Sequence, residues 1–545
     1  MVTATACGPR ASIAFDGATP ARRGAGSVST ATSRRGRIAP DKRRGGSVAT
    51  ETDSSDRLAI TGCDALVRPG ELRPAVDILI EGTTIAEIAP AGSAPPPADA
   101  TTLDGRGLLA MPGLVNAHTH SPENCLRGAC EGLPLEVWLA RMFGTSGRFD
   151  PDEHYAAAAF GALEMLRSGT TAVVDHVWMT PPTLEAIDAV GRAYRDVGVR
   201  AAIAPLLADH DYTGDLAAEY GFDLSGALFT DFAGAAPVAE QQALLEETIR
   251  RWHGAEGGRL RVFAGPVGAQ WCTDELLLAL AETAGKHETC IHLHLLESPL
   301  QVPVCRAKFG GTGAVQGLDA LGLLGPRTSL AHGIQLDDVD IELLADRQAV
   351  VVHNPSSNLR TGSGIARVFD LLRAGVPVAL GADGPTASDN QVVWTQLKLA
   401  ALLHNDGFDR HVSGREALEI ATLGGAAAMG LRDRAGTLAP GSLADVVLVD
   451  RTGYGLAGVQ DLEAGLALSE TGEGVRHVIV DGQIVVRDRR STRVDEAGIR
   501  DAVAARTALT TELHAHPPAG TLEAMRKLDR FRRLVLLGDA DAETR

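Results

Sequence analysis

The sequence predicts an α/β fold: a (β/α)8 barrel of the TIM type, joined to a small β-sandwich built from its N- and C-terminal segments. Three observations predict it. Residues 113–430 alternate eight apolar, strand-like runs with amphipathic stretches. Short strand-like segments flank that region on both sides. Histidines and acids recur at the ends of the apolar runs, where barrel enzymes carry their active sites.

Residues 1–56 are rich in Ala, Gly, Ser, Thr and Arg, with the pairs Arg22-Arg23, Arg34-Arg35 and Arg43-Arg44. They lack the apolar stretch of a secretory signal and cannot bury a core. A disordered tail is expected, with a transit-type leader as the alternative. Residues 57–112 hold the first part of the sandwich: Leu58-Ala59-Ile60, then 76–80, then 84–88, separated by Gly, Pro and Asp, as in a small antiparallel sheet. The eight barrel strands are expected to end near His118, His176, Leu207, Val267, Glu297, Gly333, Asn354 and Asp383, with helices over 155–168, 274–286 and 365–374 among those between them. Residues 431–494 return to strand texture, with a run at 444–449 and a hairpin turning at Asp481-Gly482. Residues 495–545 read as helical, with Leu522, Met525 and Leu528 at helical spacing among many charges.

The chain has 545 residues, 45% hydrophobic and 22% charged, with a formal net charge of -18. Such a surface repels phosphate backbones, so nucleic acid is excluded as a partner. It favours neutral or cationic small molecules. Seven cysteines, an odd number with no C-x-x-C, fit a reducing cytoplasm better than a disulfide framework. No apolar run has the length of a membrane span.

Strand one ends in His118-Thr119-His120. Residues i and i+2 of a strand face the same way, so both imidazoles can enter the barrel mouth and share one cation. Strand five carries His292 and His294 and runs on to Glu297; strand six ends with His332, strand seven with His353 and strand eight with Asp383. Imidazole and carboxylate suit a divalent metal, zinc first and iron(II) second. On such a metal the pKa of bound water falls to about 7. Scattered structural histidines are the bland alternative for any one of these positions, and the joint pattern outweighs it. His176 and His353 receive no role. Other chemistries leave no trace: there is no H-x-E with P-C-x-x-C, no G-x-S-x-G, no H-E-x-x-H and no P-loop.

The run 111–120, Met-Pro-Gly-Leu-Val-Asn-Ala-His-Thr-His, resembles the signature of the amidohydrolase superfamily. Leu126-Arg127-Gly128, 135–139, His294-Leu295-Leu296-Glu297, Ala331-His332-Gly333, 353–359 and Gly381-Ala382-Asp383-Gly384 are similar to its branch of S-adenosylhomocysteine and methylthioadenosine deaminases, guanine-type deaminases and triazine hydrolases. The resemblance spans about residues 57–490 and implies a sandwich-plus-barrel fold. It implies His118, His120, His294 and Asp383 as ligands of one metal, with Asp383 also the base toward water. It implies Glu297 as the acid that protonates a ring nitrogen. His332 is implied to orient the nucleophile and steady developing charge. Binuclear members carry a lysine on strand four; 262–267 contains none. The implied reaction is hydrolytic deamination of an amino-substituted heterocycle or amidine. The alternatives are release of halide or alkylamine, or cleavage of a cyclic amide, and more remotely a non-catalytic scaffold. A homo-oligomer, dimer or higher, is implied by resemblance alone.

Substrate contacts are expected from Glu123, Trp138, Gln270 and Trp271. Trp138 matches the aromatic that covers the ligand in the resembling branch. An amide such as Gln270 can pair with an amidine edge. Glu123 offers a carboxylate to a cationic or amino-bearing substrate; an ion pair with Arg127 is its alternative use. Two positions depart from adenosine-type members: Val267 stands where those have His, and Gly147 where they have a ribose-binding Glu. Both weigh against a nucleoside.

Overall fold

The computed structural model describes residues 56–538. The tail expected over 1–56 lies outside the described residues apart from Asp56, as do residues 539–545 of the C-terminal segment. The N-terminal strands are β1 (Arg57–Arg68), β2 (Glu71–Glu81), β3 (Thr84–Pro90), β4 (Thr101–Asp104) and β5 (Leu108–Pro112). β1, β2 and β3 form a meander, with Leu58 opposite Ile80. The expectation of a purely antiparallel sheet is corrected here: β1 runs parallel to β4 and β5. The prolines 95–97 cannot continue a meander, so the chain loops back and re-enters beside β1.

Eight strands follow: β6 (Leu114–Thr119), β7 (Thr170–Val177), β8 (Arg200–Pro205), β9 (Leu260–Val262), β10 (Ile291–Leu295), β11 (Thr328–His332), β12 (Val350–His353) and β13 (Val378–Leu380). They pair in parallel as two four-stranded sheets, β6 to β9 and β10 to β13. Bridges Ala264–Ile291 and Gly268–His294 carry one sheet into the other. On the far side Asp383 N donates to His118 O over 2.9 Å. Every residue of β6, β7 and β8 is buried, as parallel strands covered on both faces require.

The chain ends with β14 (Val446–Asp450), β15 (Val475–Val480), β16 (Gln483–Arg487) and β17 (Arg490–Ser491). β14 pairs antiparallel with β5, so the two ends of the chain share one nine-stranded sheet. β15 and β16 form the hairpin expected around Asp481-Gly482. Ile60, Ile78, Ile80, Val446, Leu448 and Ile479 meet in that sheet's own apolar cluster. One buried ion pair ties this sheet to β8: the Arg200 guanidinium contacts Asp445 at 2.7 and 3.0 Å and Asp481 at 2.8 Å.

Helix Asp274–Lys286 lies where expected and is capped by Thr273. Helix Pro151–Arg167 begins with a capping box between Asp150 and Glu153. The helix expected over 365–374 is shorter, Val368–Ala374, because Gly362 and Gly364 hold the preceding loop at φ of 63° and 121°. The C-terminal segment forms two helices, Glu496–Ala515 and Ala519–Leu537. Ala524, Leu528 and Phe531 of the second join the apolar cluster containing Val137 and Ala140 of helix Leu135–Ser146. No helix among the described residues is long and apolar enough to cross a membrane.

Candidate metal centre and active site

β6 projects His118 and His120 to one side, as the strand period requires, and β10 brings His294 beside them. Asp383 follows β13. Its Oδ1 lies 3.4 Å from His118 Nε2 and 3.4 Å from His120 Nε2, and His294 Nε2 lies 3.3 Å from His120 Nε2. All four side chains are buried. The second ring nitrogens are already engaged. His120 Nδ1 donates to His176 O over 2.6 Å, His294 Nδ1 to Val267 O over 2.5 Å, and His118 Nδ1 meets His292 Nε2 at 2.8 Å. These bonds leave Nε2 as the inward-facing nitrogen of each ring, and His118 Nε2 is buried with no hydrogen-bond partner. Three such nitrogens and a carboxylate are the donor set of a divalent cation, so these residues fit one.

Burial pushes the His118 imidazole down to about 4 and His294 well below its usual value, so both are neutral, as ligands must be. For Asp383, burial works upward, but the adjoining His118 and then His332 and His120 hold the carboxyl well below its usual range.

His332 ends β11 and Glu297 follows β10. His332 Nε2 stands 3.6 Å from Glu297 Oε2 and 3.8 Å from Asp383 Oδ2, with its Nδ1 2.9 Å from Asn358 Oδ1. His332 and Asp383 both have left-handed φ, 77° and 64°, which costs a non-glycine residue about 1–2 kcal/mol. Such strain is held where function over-determines the backbone. Burial raises the Glu297 carboxyl well above its usual range, reinforced by Asp383, Glu136 and Glu123.

Glu123, Trp138 and Trp271 line the cavity above these groups. Gln270 is not among the residues that line it. It is buried in the turn Ala269–Trp271, with Oε1 4.0 Å from Cys305 Sγ and Nε2 without a hydrogen-bond partner. Glu123 does not pair with Arg127, which grips Glu164 at 2.7 and 2.8 Å. Glu123 accepts instead from the Thr386 hydroxyl, from Thr386 N at 3.2 Å and from Trp178 Nε1 at 3.4 Å; burial pushes its carboxyl up to about 7. Sequence reasoning missed Phe143, Trp178, Leu206 and Phe229, which also line the cavity. It missed Asn358 as the partner of His332, although the 353–359 stretch contains it. Val267 lines the cavity, whereas Gly147 does not; Gly147 sits at φ 66° where helix Leu135–Ser146 ends.

His176 stacks on His120 and His294, with Nε2 3.1 Å from Gly265 O. Asp175 accepts from Ser121 N and from the Tyr194 hydroxyl, fixing the turn after His120. His353 is buried and neither ring nitrogen has a hydrogen-bond partner.

The family model for the amidohydrolase family matches residues 109–485. A 5'-deoxyadenosine deaminase of Methanothermobacter thermautotrophicus is 34% identical over 461 residues, covering 84% of this chain and 99% of that protein. The zinc complex of the atrazine chlorohydrolase from Arthrobacter aurescens TC1 superposes with a TM-score of 0.74 at 28% identity, over 83% of this chain and 100% of the other. A zinc-bound adenosine deaminase from Xanthomonas campestris gives a TM-score of 0.72 at 25% identity, over 84% and 98%.

Proposed function

The chain belongs to the amidohydrolase family, and from that premise we propose that it is a mononuclear metal-dependent deaminase of a compact amino-heterocycle, forming the oxo product and ammonia. One observation carries the reading: Glu297, His332 and Asp383 stand together, with separations of 3.6 and 3.8 Å, beside three converging imidazoles. His118, His120, His294 and Asp383 would hold the divalent cation; zinc is our assignment, supported by the zinc-bound neighbours. When bound, the cation supplies a water nucleophile active at neutral pH.

The chain's own groups move the protons. Asp383 is ionised and accepts one as water adds to the amidine carbon. Glu297, whose carboxyl burial raises well above its usual range, gives its proton to the ring nitrogen that gains electron density. His332, aligned by Asn358, faces both carboxyl groups and steadies the adduct. Collapse breaks the exocyclic C–N bond: the proton held by Asp383 leaves with ammonia, and the adduct's hydroxyl proton passes to the Glu297 carboxylate as the carbonyl forms, restoring the acid. Trp138 and Trp271 offer faces for the ring, and Glu123 faces an N–H of the substrate. We keep our other assignments as proposals: eight central strands closing as a (β/α)8 barrel, a cytoplasmic location supported by six buried free cysteines, and a homo-oligomer.

Release of halide or alkylamine is a second reading, favoured by the likeness to the atrazine chlorohydrolase. A panel of guanine, pterins, melamine, cytosine and adenosine derivatives, with a chloro- and an alkylamino-triazine, separates the readings by product. Ammonia from an amino-heterocycle supports deamination. Halide or alkylamine alone would establish the second reading, and no product from any member would refute both.

A further inference from the structure

Glu297 leaves β10 through Leu296, whose φ of 44° lies in the left-handed region. That turn takes the Glu297 N–H out of the strand ladder, and a buried N–H needs another acceptor. Gln301 supplies it: its Oε1 accepts from Glu297 N over 2.7 Å. Gln301 is buried, and its Nε2 has no hydrogen-bond partner. The bond to Glu297 is the work its side chain does.

Gln301 opens helix Gln301–Lys308, and Lys308 ends it. At the rise of an α-helix the two stand about 10 Å apart along the axis. The Lys308 side chain is only 2% exposed. A buried ammonium is tolerated only when it is paired. Here Nζ donates to Ala269 O over 2.9 Å and to Cys272 O over 2.6 Å, with Asp274 Oδ1 at 3.2 Å and the Tyr212 and Phe309 rings at 5.0 and 4.7 Å. Ala269 and Cys272 bracket Trp271. Their turn, Ala269–Trp271, is too short to satisfy these carbonyls by helical bonding. Lys308 therefore closes the turn that sets the Trp271 ring, which lines the catalytic cavity and packs on Phe229 at 5.1 Å. Val304, between the two, joins the apolar cluster of Val137 and Ala140, so this short helix is itself pinned to the helix that carries Trp138.

We propose that Gln301 and Lys308 are positioning residues of the active site: Gln301 sets the Glu297 carboxyl, Lys308 sets the Trp271 face, and their helix fixes the spacing of the two. The proposal rests on the parts given above to Glu297 and Trp271 in deamination. It separates their supports by consequence. Displacing a proton donor slows the chemical step, whereas displacing an aromatic face weakens the hold on the ring.

The experiment uses full-length metal-loaded protein and the panel member that wild type turns over fastest. Gln301→Met keeps the side chain's length and removes the acceptor; kcat is expected to fall about 10–100-fold with KM within about two-fold. Lys308→Met keeps the apolar stem and removes the clamp; KM is expected to rise about ten-fold with kcat within about three-fold. Lys308→Gln, a shorter neutral donor, reads the same direction if the methionine variant does not fold. Gln301→Glu keeps the acceptor and forfeits no bond at Nε2, so it should bring kcat back to within about five-fold of wild type. A merely structural role lowers the active fraction, which reduces kcat in every variant and moves KM in none. That pattern, unchanged kinetics in both, or no recovery in Gln301→Glu would overturn the proposal and leave deamination standing. Hydrogen exchange of peptides 266–273 and 295–300 reads the two attachments without turnover. Faster exchange at 266–273 in Lys308→Met alone, and at 295–300 in Gln301→Met alone, supports them; unchanged exchange at both sites overturns them. Selective exchange in a wild type that releases no product from any panel member would uphold the attachments and refute the deaminase reading instead.

Discussion

His118 Nδ1 and His292 Nε2 lie 2.8 Å apart, and His292 Nδ1 lies 3.0 Å from Ser329 Oγ. One proton arrangement serves this relay and leaves His118 ready for a cation: His118 donates from Nδ1, and His292 donates from its own Nδ1 to the serine. His292→Phe removes the acceptor and frees the His118 tautomer. Metal affinity is expected to fall roughly 10–100-fold with the fold retained. Competition with a chromogenic chelator measures it, and unchanged affinity would remove His292 from the support of the site.

Glu297→Gln is expected to keep its metal and lose about 10²–10⁴ in turnover. The wild-type acid works only when protonated, and its pKa is raised, so activity should fall as pH rises through that value. The glutamine variant should lack this alkaline limb. A pH–rate profile that keeps the limb would assign it to another group.

Glu123 carries a pKa of about 7 in the fold against 4.5 when unperturbed. A raised carboxyl contributes stability that is complete below about 4.5 and is lost as pH rises through about 7. In the metal-free protein, Glu123→Gln removes that loss. Its Tm relative to wild type is expected to climb by about 2–4 °C between pH 5 and pH 8. A difference that stays flat over this window in thermal melts would mean that Glu123 does not titrate there.

Arg200→Ala leaves Asp445 and Asp481 facing each other without their cation between β8 and the nine-stranded sheet. A loss of about 3–5 kcal/mol is expected in denaturant unfolding. Adding Asp445→Asn and Asp481→Asn should recover part of it. Full stability of the single variant would show that the pair bears no weight.

The cluster of His118, His120, His294 and Asp383 is legible in the sequence because a strand alternates faces: His118 and His120 must emerge together, and β6, β10 and β13 are parallel within their sheets. The tight turn Ala269–Trp271 that buries Gln270 beside Cys305 is not legible from a residue count beyond β9. Phe143, Trp178, Leu206 and Phe229 are not legible. They come from four separate segments, and an aromatic that lines a cavity has the same local pattern as one in the core. The Glu123–Thr386 bond joins residues 263 apart and has no local signature either. The helical C-terminal segment is legible as helix. Its packing on the helix that carries Trp138 is not, because helical spacing of apolar residues names no partner.

Zinc titration of metal-free protein, followed by ammonia release from a substrate identified in the panel, tests the central claim most directly. The four-residue centre of His118, His120, His294 and Asp383 predicts activity that is absent without metal and rises linearly to a break at one equivalent per chain. Full activity in the metal-free protein, or a break at two equivalents, would contradict it.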